Sequence, residues 1–413
     1  MRYVRLTWSA AIYRRIRLRR SRLRVMSRTL IERVPARPKK GRSATNESGD
    51  ESPHSKVGGS LRRAFLAVSV IWVVVLGVAR TYGADDDVAR FLAVAKEKAA
   101  AAEKEERSVV PGEGGWLFFV PELRSLSIGP FWGDNAVKVS RSSKPEYADP
   151  LAAIVDFKRQ LQKAQIELLV VPVPAKAAAY PNRLDAKSAK DAADKRRFDP
   201  YQRQFYDLLE ERGVAVLDLL PLFVKQTSDN GPPMYCQTDS HWSGAGVAVA
   251  AEAIADRVSK QPWWEMLALE KPNYSTQERE VEISGDLARM LNESQPAREA
   301  LKLTFIGAPD GDALTPITPD RQSPVLLMGD SHSLVFHDPE LFAAGAGLPD
   351  HLALRLRMPV DLIGVRGSGA TTTRIELLRR RDNLRGKKLV VWCFSFREFT
   401  ESFTGWRKVP VLR

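Results

Sequence analysis

Apolar residues along the 413-residue chain gather into short unbroken runs separated by amphipathic stretches of helical length. Runs at 166–173, 214–219, 325–328, 360–365 and 388–394 are too short for helices and too continuous for half-exposed strands, so they read as buried strands. The intervening stretches 150–164, 196–212, 242–260 and 372–380 read as helices. Strand and helix therefore alternate, which predicts an α/β domain: a mostly parallel five-stranded sheet with helices on both faces, running from residue 109 to 413. Near its start, Gly112-Glu113-Gly114-Gly115 is a turn leading into the aromatic strand 116–120. Residues 262–300 show no clear period and read as an insertion or lid. Their most distinctive turn is Ser284-Gly285-Asp286-Leu287.

Upstream the pattern changes twice. Residues 1–61 are rich in Arg, then in Ser, Gly and Lys, and read as a basic disordered arm on the cytoplasmic side; Met26 serves equally well as a start. After Arg62-Arg63, residues 64–79 carry no charge, and Arg80 and Asp85-Asp86-Asp87 follow. That run is short of the roughly 20 residues of a comfortable span and at the upper end for a signal-peptide core. Residues 62–84 are therefore expected to be a transmembrane signal-anchor or a signal peptide, with the rest of the chain exported. Residues 85–108, rich in Ala, Lys and Glu, read as an exposed helical spacer.

Charge changes the picture only by its location. The formal net charge is +13, but 18 of the 63 basic residues and 4 of the 50 acidic ones lie in residues 1–63. The remaining 350 residues hold 45 basic and 46 acidic side chains, so the folded part is nearly neutral and is not a basic-face binder of nucleic acid. Two cysteines, Cys236 and Cys393, are too few for a disulfide framework or a zinc site. They either pair in an oxidising compartment or stay as buried thiols. The five histidines show no metal spacing, so no metal or other cofactor is expected.

Two stretches carry candidate chemistry. Gly329-Asp330-Ser331 breaks the apolar strand 325–328 at its C-terminal end, where parallel sheets place their sites, and residues 334–336 are expected to begin a helix. A serine there would expose its hydroxyl on a sharp turn, with its N–H at a helix N-terminus that favours a developing oxyanion. Ser333 is the alternative serine, or a residue capping that helix. Upstream, Thr238-Asp239-Ser240-His241-Trp242 offers a base and its orienting carboxylate. In extended backbone Asp239 and His241 would project from one side, the carboxylate holding one ring nitrogen and leaving the other for Ser331. Trp242 would wall the site. The loop Val365-Arg366-Gly367-Ser368-Gly369 either supplies a second oxyanion donor, from a glycine N–H or the Arg366 guanidinium, or merely turns the chain. Lys176 either lines the site or is simply a loop lysine, and the second reading is preferred.

Gly-Asp-Ser after an apolar strand, with an Asp/His pair elsewhere, resembles the SGNH hydrolase superfamily. Most members place the serine block first. Here Asp239 and His241 precede Ser331, and this order resembles the alginate O-acetyltransferase branch, the AlgX/AlgJ-like proteins. Further stretches agree: Gly115-Trp116-Leu117-Phe118, Val171-Pro172-Val173-Pro174-Ala175-Lys176 with Tyr180-Pro181, Gly285-Asp286-Leu287 and Val390-Val391-Trp392. The resemblance covers about residues 110–410. It implies a periplasmic protein held at the inner membrane by its N-terminal segment. Such a protein moves acetyl groups from a membrane-bound O-acyltransferase onto the hydroxyls of an exopolysaccharide, through an acetyl-serine. Ser331 would be the nucleophile, His241 the general base and Asp239 its orienter, with Arg366, Gly367 and Trp242 as oxyanion or substrate candidates. No carbohydrate-binding module is recognisable at the C-terminus. The same triad with water as acceptor would be a carbohydrate esterase or deacetylase, and a chain without catalysis would be a scaffold of an envelope polysaccharide complex.

Overall fold

The computed structural model describes residues 67–187, 196–228, 231–267, 272–292 and 294–412. The basic arm and the first residues of the expected anchor, 1–66, lie outside the described residues. Residues 67–84 belong to a helix, Ala67–Lys104, whose side chains are described from residue 86 onward. Among the described residues no helix is long and apolar enough to cross a membrane. The chain divides into the units Met1–Gly77 and Val78–Arg413, and everything below concerns the second.

Among the described residues ten strands build that unit. A two-stranded antiparallel pair comes first: β1 (Val109–Pro111) and β2 (Leu117–Phe119). The central sheet takes β3 (Glu167–Val173) and β4 (Ala215–Val216). A separate antiparallel sheet follows: β5 (Ser275–Ile283), β6 (Glu299–Asp310) and β7 (Ala313–Pro316). The central sheet is completed by β8 (Val325–Gly329), β9 (Asp361–Gly364) and β10 (Leu389–Ser395). Its order is β4-β3-β10-β8-β9, with every neighbouring pair parallel. All five expected strands are present within a residue or two, except that 214–219 shortens to two paired residues. Every residue of β8 and β10 is buried, which requires cover on both faces and explains why these strands read as unbroken apolar runs.

The expected helices form as Pro150–Lys163, Pro200–Glu211, Gly244–Ser259 and Thr371–Arg380. Local chemistry sets their starts. Asp149 accepts from Leu151 N, with Pro150 at the first helical position, and Ser243 accepts from Gly246 N.

Two expectations fail, and one stretch holds more order than its pattern shows. The period-free residues 262–300 contain β5 and the start of β6, a hairpin in register from Ser275 opposite Gly307 to Ile283 opposite Glu299. Most of β5 faces solvent with charged side chains, so pairing rather than burial makes it a strand and no apolar pattern announces it. The helix expected at 334–336 is absent. One 3-10 turn, Ser331–Ser333, is followed by Phe336 at φ 63°, and the helix proper comes later at Leu348–Leu356. Finally, the spacer is helical but not simply exposed: Phe91, Ala95, Ala99 and Ala102 are buried in the core, with Phe91 edge-on to Phe198 at 4.8 Å. Small residues on one stripe let the helix lie close, and the Lys/Glu-rich composition hides that stripe.

If this helix is part of the domain, Phe91→Ala should destabilise it by about 3–5 kcal/mol, the usual cost of deleting a buried aromatic ring. Urea unfolding of the Phe91→Ala protein would show this. A change under about 0.5 kcal/mol would restore the spacer reading.

Candidate active site

β8 ends at Gly329, where a Cβ would lie 1.7 Å from the Cys393 carbonyl oxygen, so only glycine lets β8 run this close to β10. The chain then bends, and Asp330 caps the turn Ser331–Ser333 by accepting from His332 N at 2.9 Å. Asp330 Oδ2 also accepts from Ser395 N at 2.7 Å, which ties the Ser331 turn to the end of β10. Ser331 is left half-buried. Its N–H has no protein acceptor among the described residues.

Asp239 and His241 arrive on the loop 237–241. Tyr235 pairs antiparallel with Trp242, and Cys236 N donates to His241 O at 3.2 Å, so the loop is pinched at its base. Within it, Asp239 Oδ1 accepts from His241 N at 2.9 Å and lies 2.6 Å from His241 Nδ1. The far ring nitrogen, Nε2, is 2.7 Å from Ser331 Oγ. The three expected residues are thus joined in one chain of hydrogen bonds. The backbone here is bent rather than extended. Asp and His meet because the carboxylate caps the bend, not because alternate side chains share a face.

Electrostatics match the order of the chain. Burial pushes the Asp239 carboxyl up, but the His241 charge and hydrogen bonds from His241 and from Asp286 N hold it well below the usual carboxylate range. Burial opposes protonation of His241, yet the neighbouring Asp239 carboxylate and its hydrogen bond prevail and raise the imidazole above 6.5. A second Asp-x-His pair sits alongside: His332 Nδ1 is 3.2 Å from Asp330 Oδ1, and the two imidazole rings are 4.7 Å apart. Burial pulls His332 down to about 4 despite Asp330, so it stands neutral next to the base.

Other candidates fall elsewhere. Trp242 is fully buried and meets His332 edge-to-face at 5.5 Å, so it packs behind the histidines rather than walling the opening. Arg366 is more than a third exposed and is bound to Asp338 and to Glu340 at 2.8 Å, which draws its guanidinium to the acids after the nucleophile's turn. Gly367 takes a positive φ of 83° with open space around it; the glycine of this loop that touches the site is Gly369, against Asp330. Ser333 does not cap: it is buried, with its hydroxyl on Cys393 O at 3.3 Å. Cys236 and Cys393 are free and buried. Lys176 is no loop lysine. It is fully buried after β3, and its Nζ donates to Leu117 O, Gln237 O and Asp239 O at 2.8, 2.9 and 3.1 Å. The loop carrying the base is thereby tied to β2 and β3.

Sequence reasoning left three residues without roles. Glu299, the first residue of β6, accepts from Gln237 N at 2.7 Å, Thr238 N at 2.8 Å and the Thr238 hydroxyl at 2.6 Å. Asp286 accepts from Ser240 N and its hydroxyl at 2.7 and 2.6 Å and donates its own N–H to Asp239 Oδ2 at 2.6 Å. The signal available for it was the distinctive turn containing it. Arg397 follows β10 and has no ion-pair partner among the described residues. It is half-buried, donates to Ser395 Oγ at 3.0 Å, and lies 5.3 Å from the Phe119 ring. No local pattern singles it out, because the ring it lies over comes from β2, far away in the chain. Asp239, His241 and Asp286 each offer a ligand atom within 4.8 Å of the others, but their polar atoms are engaged with one another, Ser240 and Ser331.

Residues 109–396 match the family model of the SGNH hydrolase-like domain of the acetyltransferase AlgX. The chain is 26% identical over 310 residues to the probable alginate O-acetylase AlgJ of Pseudomonas aeruginosa, a match covering 70% of each. It is 28% identical over 234 residues to the probable alginate O-acetylase AlgJ of Pseudomonas putida, covering 54% of each, so it spans about half that relative's length. Among solved structures, the O-acetyltransferase domain of Pseudomonas putida AlgJ matches with a TM-score of 0.50 at 23% identity, over 71% of this chain and 92% of that one, a likeness of fold. The family match takes in the strands β1 to β10 and both loops that carry the hydrogen-bonded serine, histidine and aspartate, and the chain belongs to the AlgX family of SGNH hydrolase-like acetyltransferase domains.

Proposed function

We propose that this chain is an O-acetyltransferase acting on an exported, alginate-like polysaccharide through an acetyl-serine intermediate. The observation carrying the reading is the run from Ser331 Oγ to His241 Nε2 at 2.7 Å and from His241 Nδ1 to Asp239 at 2.6 Å. The names of the relatives, probable alginate O-acetylases, support the acceptor class. In the first half-reaction Ser331 Oγ attacks the acetyl carbonyl of the donor while His241 Nε2 takes the hydroxyl proton. The tetrahedral oxyanion rests against the Ser331 N–H. Its collapse expels the donor's leaving group, which receives the proton from His241. In the second half a sugar hydroxyl gives its proton to His241 and attacks the acetyl-serine, and Ser331 leaves reprotonated. Asp239 keeps the imidazole in the tautomer that presents a bare Nε2 to Ser331 and stabilises the imidazolium of each intermediate. The donor is a membrane-bound O-acyltransferase, and the domain works in the periplasm, held at the inner membrane by the segment before it.

Arg397 favours an anionic acceptor. A half-buried guanidinium near the triad, with one hydroxyl contact and no carboxylate in close ion-pair contact among the described residues, has donors left for a uronate carboxylate, although its charge also acts on the buried Glu122, Asp330 and Glu398.

Exposure of the chain to an activated acetyl ester should add one acetyl group to Ser331, read by mass spectrometry, and none to the Ser331→Ala protein. Label on another serine, or no label on the folded chain, would overturn the mechanism. Turnover of that ester should fall as pH drops through a value above 6.5, because the His241 imidazole must be neutral to accept the proton. Asp239→Asn should lower the rate on the order of 10⁴-fold. Arg397→Gln should lower transfer to oligouronates about tenfold more than transfer to carboxyl-reduced oligomers; equal losses would remove the carboxylate role.

A further inference from the structure

Asp286 sits where a three-residue relay needs nothing further, yet the fold brings it there by a close and specific approach. At Gly285 a Cβ would lie 2.1 Å from Thr238 O and 2.7 Å from Asp239 N, so the turn Ser284-Gly285-Asp286-Leu287 can dock on the catalytic loop only with glycine at that position. Ala288 N then donates to Thr238 O at 3.1 Å, and Asp286 N donates to Asp239 Oδ2 at 2.6 Å, the carboxylate oxygen that His241 does not use. The Asp286 carboxylate receives both the N–H and the hydroxyl of Ser240, the residue between the triad acid and the base. We propose that Asp286 is a fourth member of the relay, a positioning residue that orients Asp239 through its N–H and supports the His241 imidazolium through its charge.

This inference rests on the acyl-transfer reading above for its kinetic consequences, but not for its geometry. The ionisable groups facing Asp286 are Asp239 and His241 on the catalytic loop, Glu122 after β2 and Cys236 before the loop; Lys176 lies beneath Asp239, and His241 also faces His332 and the charge of Arg397. Burial, followed by the Asp239 charge, lifts the Asp286 carboxyl to about 6. Below that pH it loses its charge, and the base beside it becomes harder to protonate.

The test is Asp286→Asn, which keeps the backbone N–H on Asp239 and an acceptor for Ser240 but removes the charge. Its turnover of an activated acetyl ester should fall roughly tenfold, and the acid limb of its kcat/KM profile should move to lower pH by roughly half a unit, since His241 loses a stabilising anion. A rate loss with an unmoved or upward-moved limb would make Asp286 merely structural. In the unsubstituted protein, NMR of labelled histidine should show the His241 signals titrating with two inflections, one of them near pH 6 as Asp286 takes up its proton. A single inflection would overturn the proposal. This reading needs no acetyl transfer, so two inflections without Ser331 labelling would sink the proposed function and leave the role of Asp286 standing, and the reverse result would do the opposite.

Discussion

A fully buried carboxylate, Asp239, is the constraint to which the rest of the site answers. An isolated charge of this kind is unstable in a protein interior unless its lone pairs are filled. Here one oxygen accepts from the backbone and ring nitrogens of His241, and the other accepts from the backbone of Asp286. Filling those lone pairs fixes the bend of the loop, the tautomer of the base and the docking of the turn at Gly285. The neighbouring residues repeat the logic: Glu299 clamps the loop at 237 and 238, Asp286 clamps it at 240, and Lys176 holds three carbonyls from below. A five-residue loop with almost no apolar content is thus held by buried charge.

The central sheet places four of the participating segments at one edge, and the loop 237–241 and the turn at Asp286 are brought to it from outside the sheet. Ser331 follows β8, Lys176 follows β3, Arg397 follows β10 and Gly369 follows β9, so the active edge is the C-terminal end of the parallel strands. Ser331 owes little to a helix dipole. The helix that would have supplied one reduces to a single 3-10 turn, and Asp330, bonded to β10, does the fixing.

What could be read from the chain follows from how local each cause is. The three inner strands β3, β10 and β8 were legible because burial on both faces leaves unbroken apolar runs, and the outer strands β4 and β9 because each sits in a short apolar stretch. Ser331, His241 and Asp239 were legible because each sits in a short motif at an element end. The hairpin β5–β6 was not, since its charged strand is held by backbone pairing to residues 16 to 32 positions away. Lys176 looked like an ordinary loop lysine because its three acceptors come from β2 and from the catalytic loop, about 60 residues off in either direction. Arg366 and Trp242 were misplaced for a related reason. Sequence neighbourhood put them near the site, but Asp338 and Glu340 draw one away and the His332 ring buries the other.

The order of the sheet also sets how the two sides of the site are joined. β3 and β4 form one half, and β8 and β9 the other; β10, the last strand in the chain, lies between them and pairs with both. The loop bearing His241 is tied to the first half through Lys176, and Ser331 belongs to the second. The last strand of the chain is therefore the keystone of the sheet: the edges are laid down earlier in sequence, and residues 389–395 close the centre.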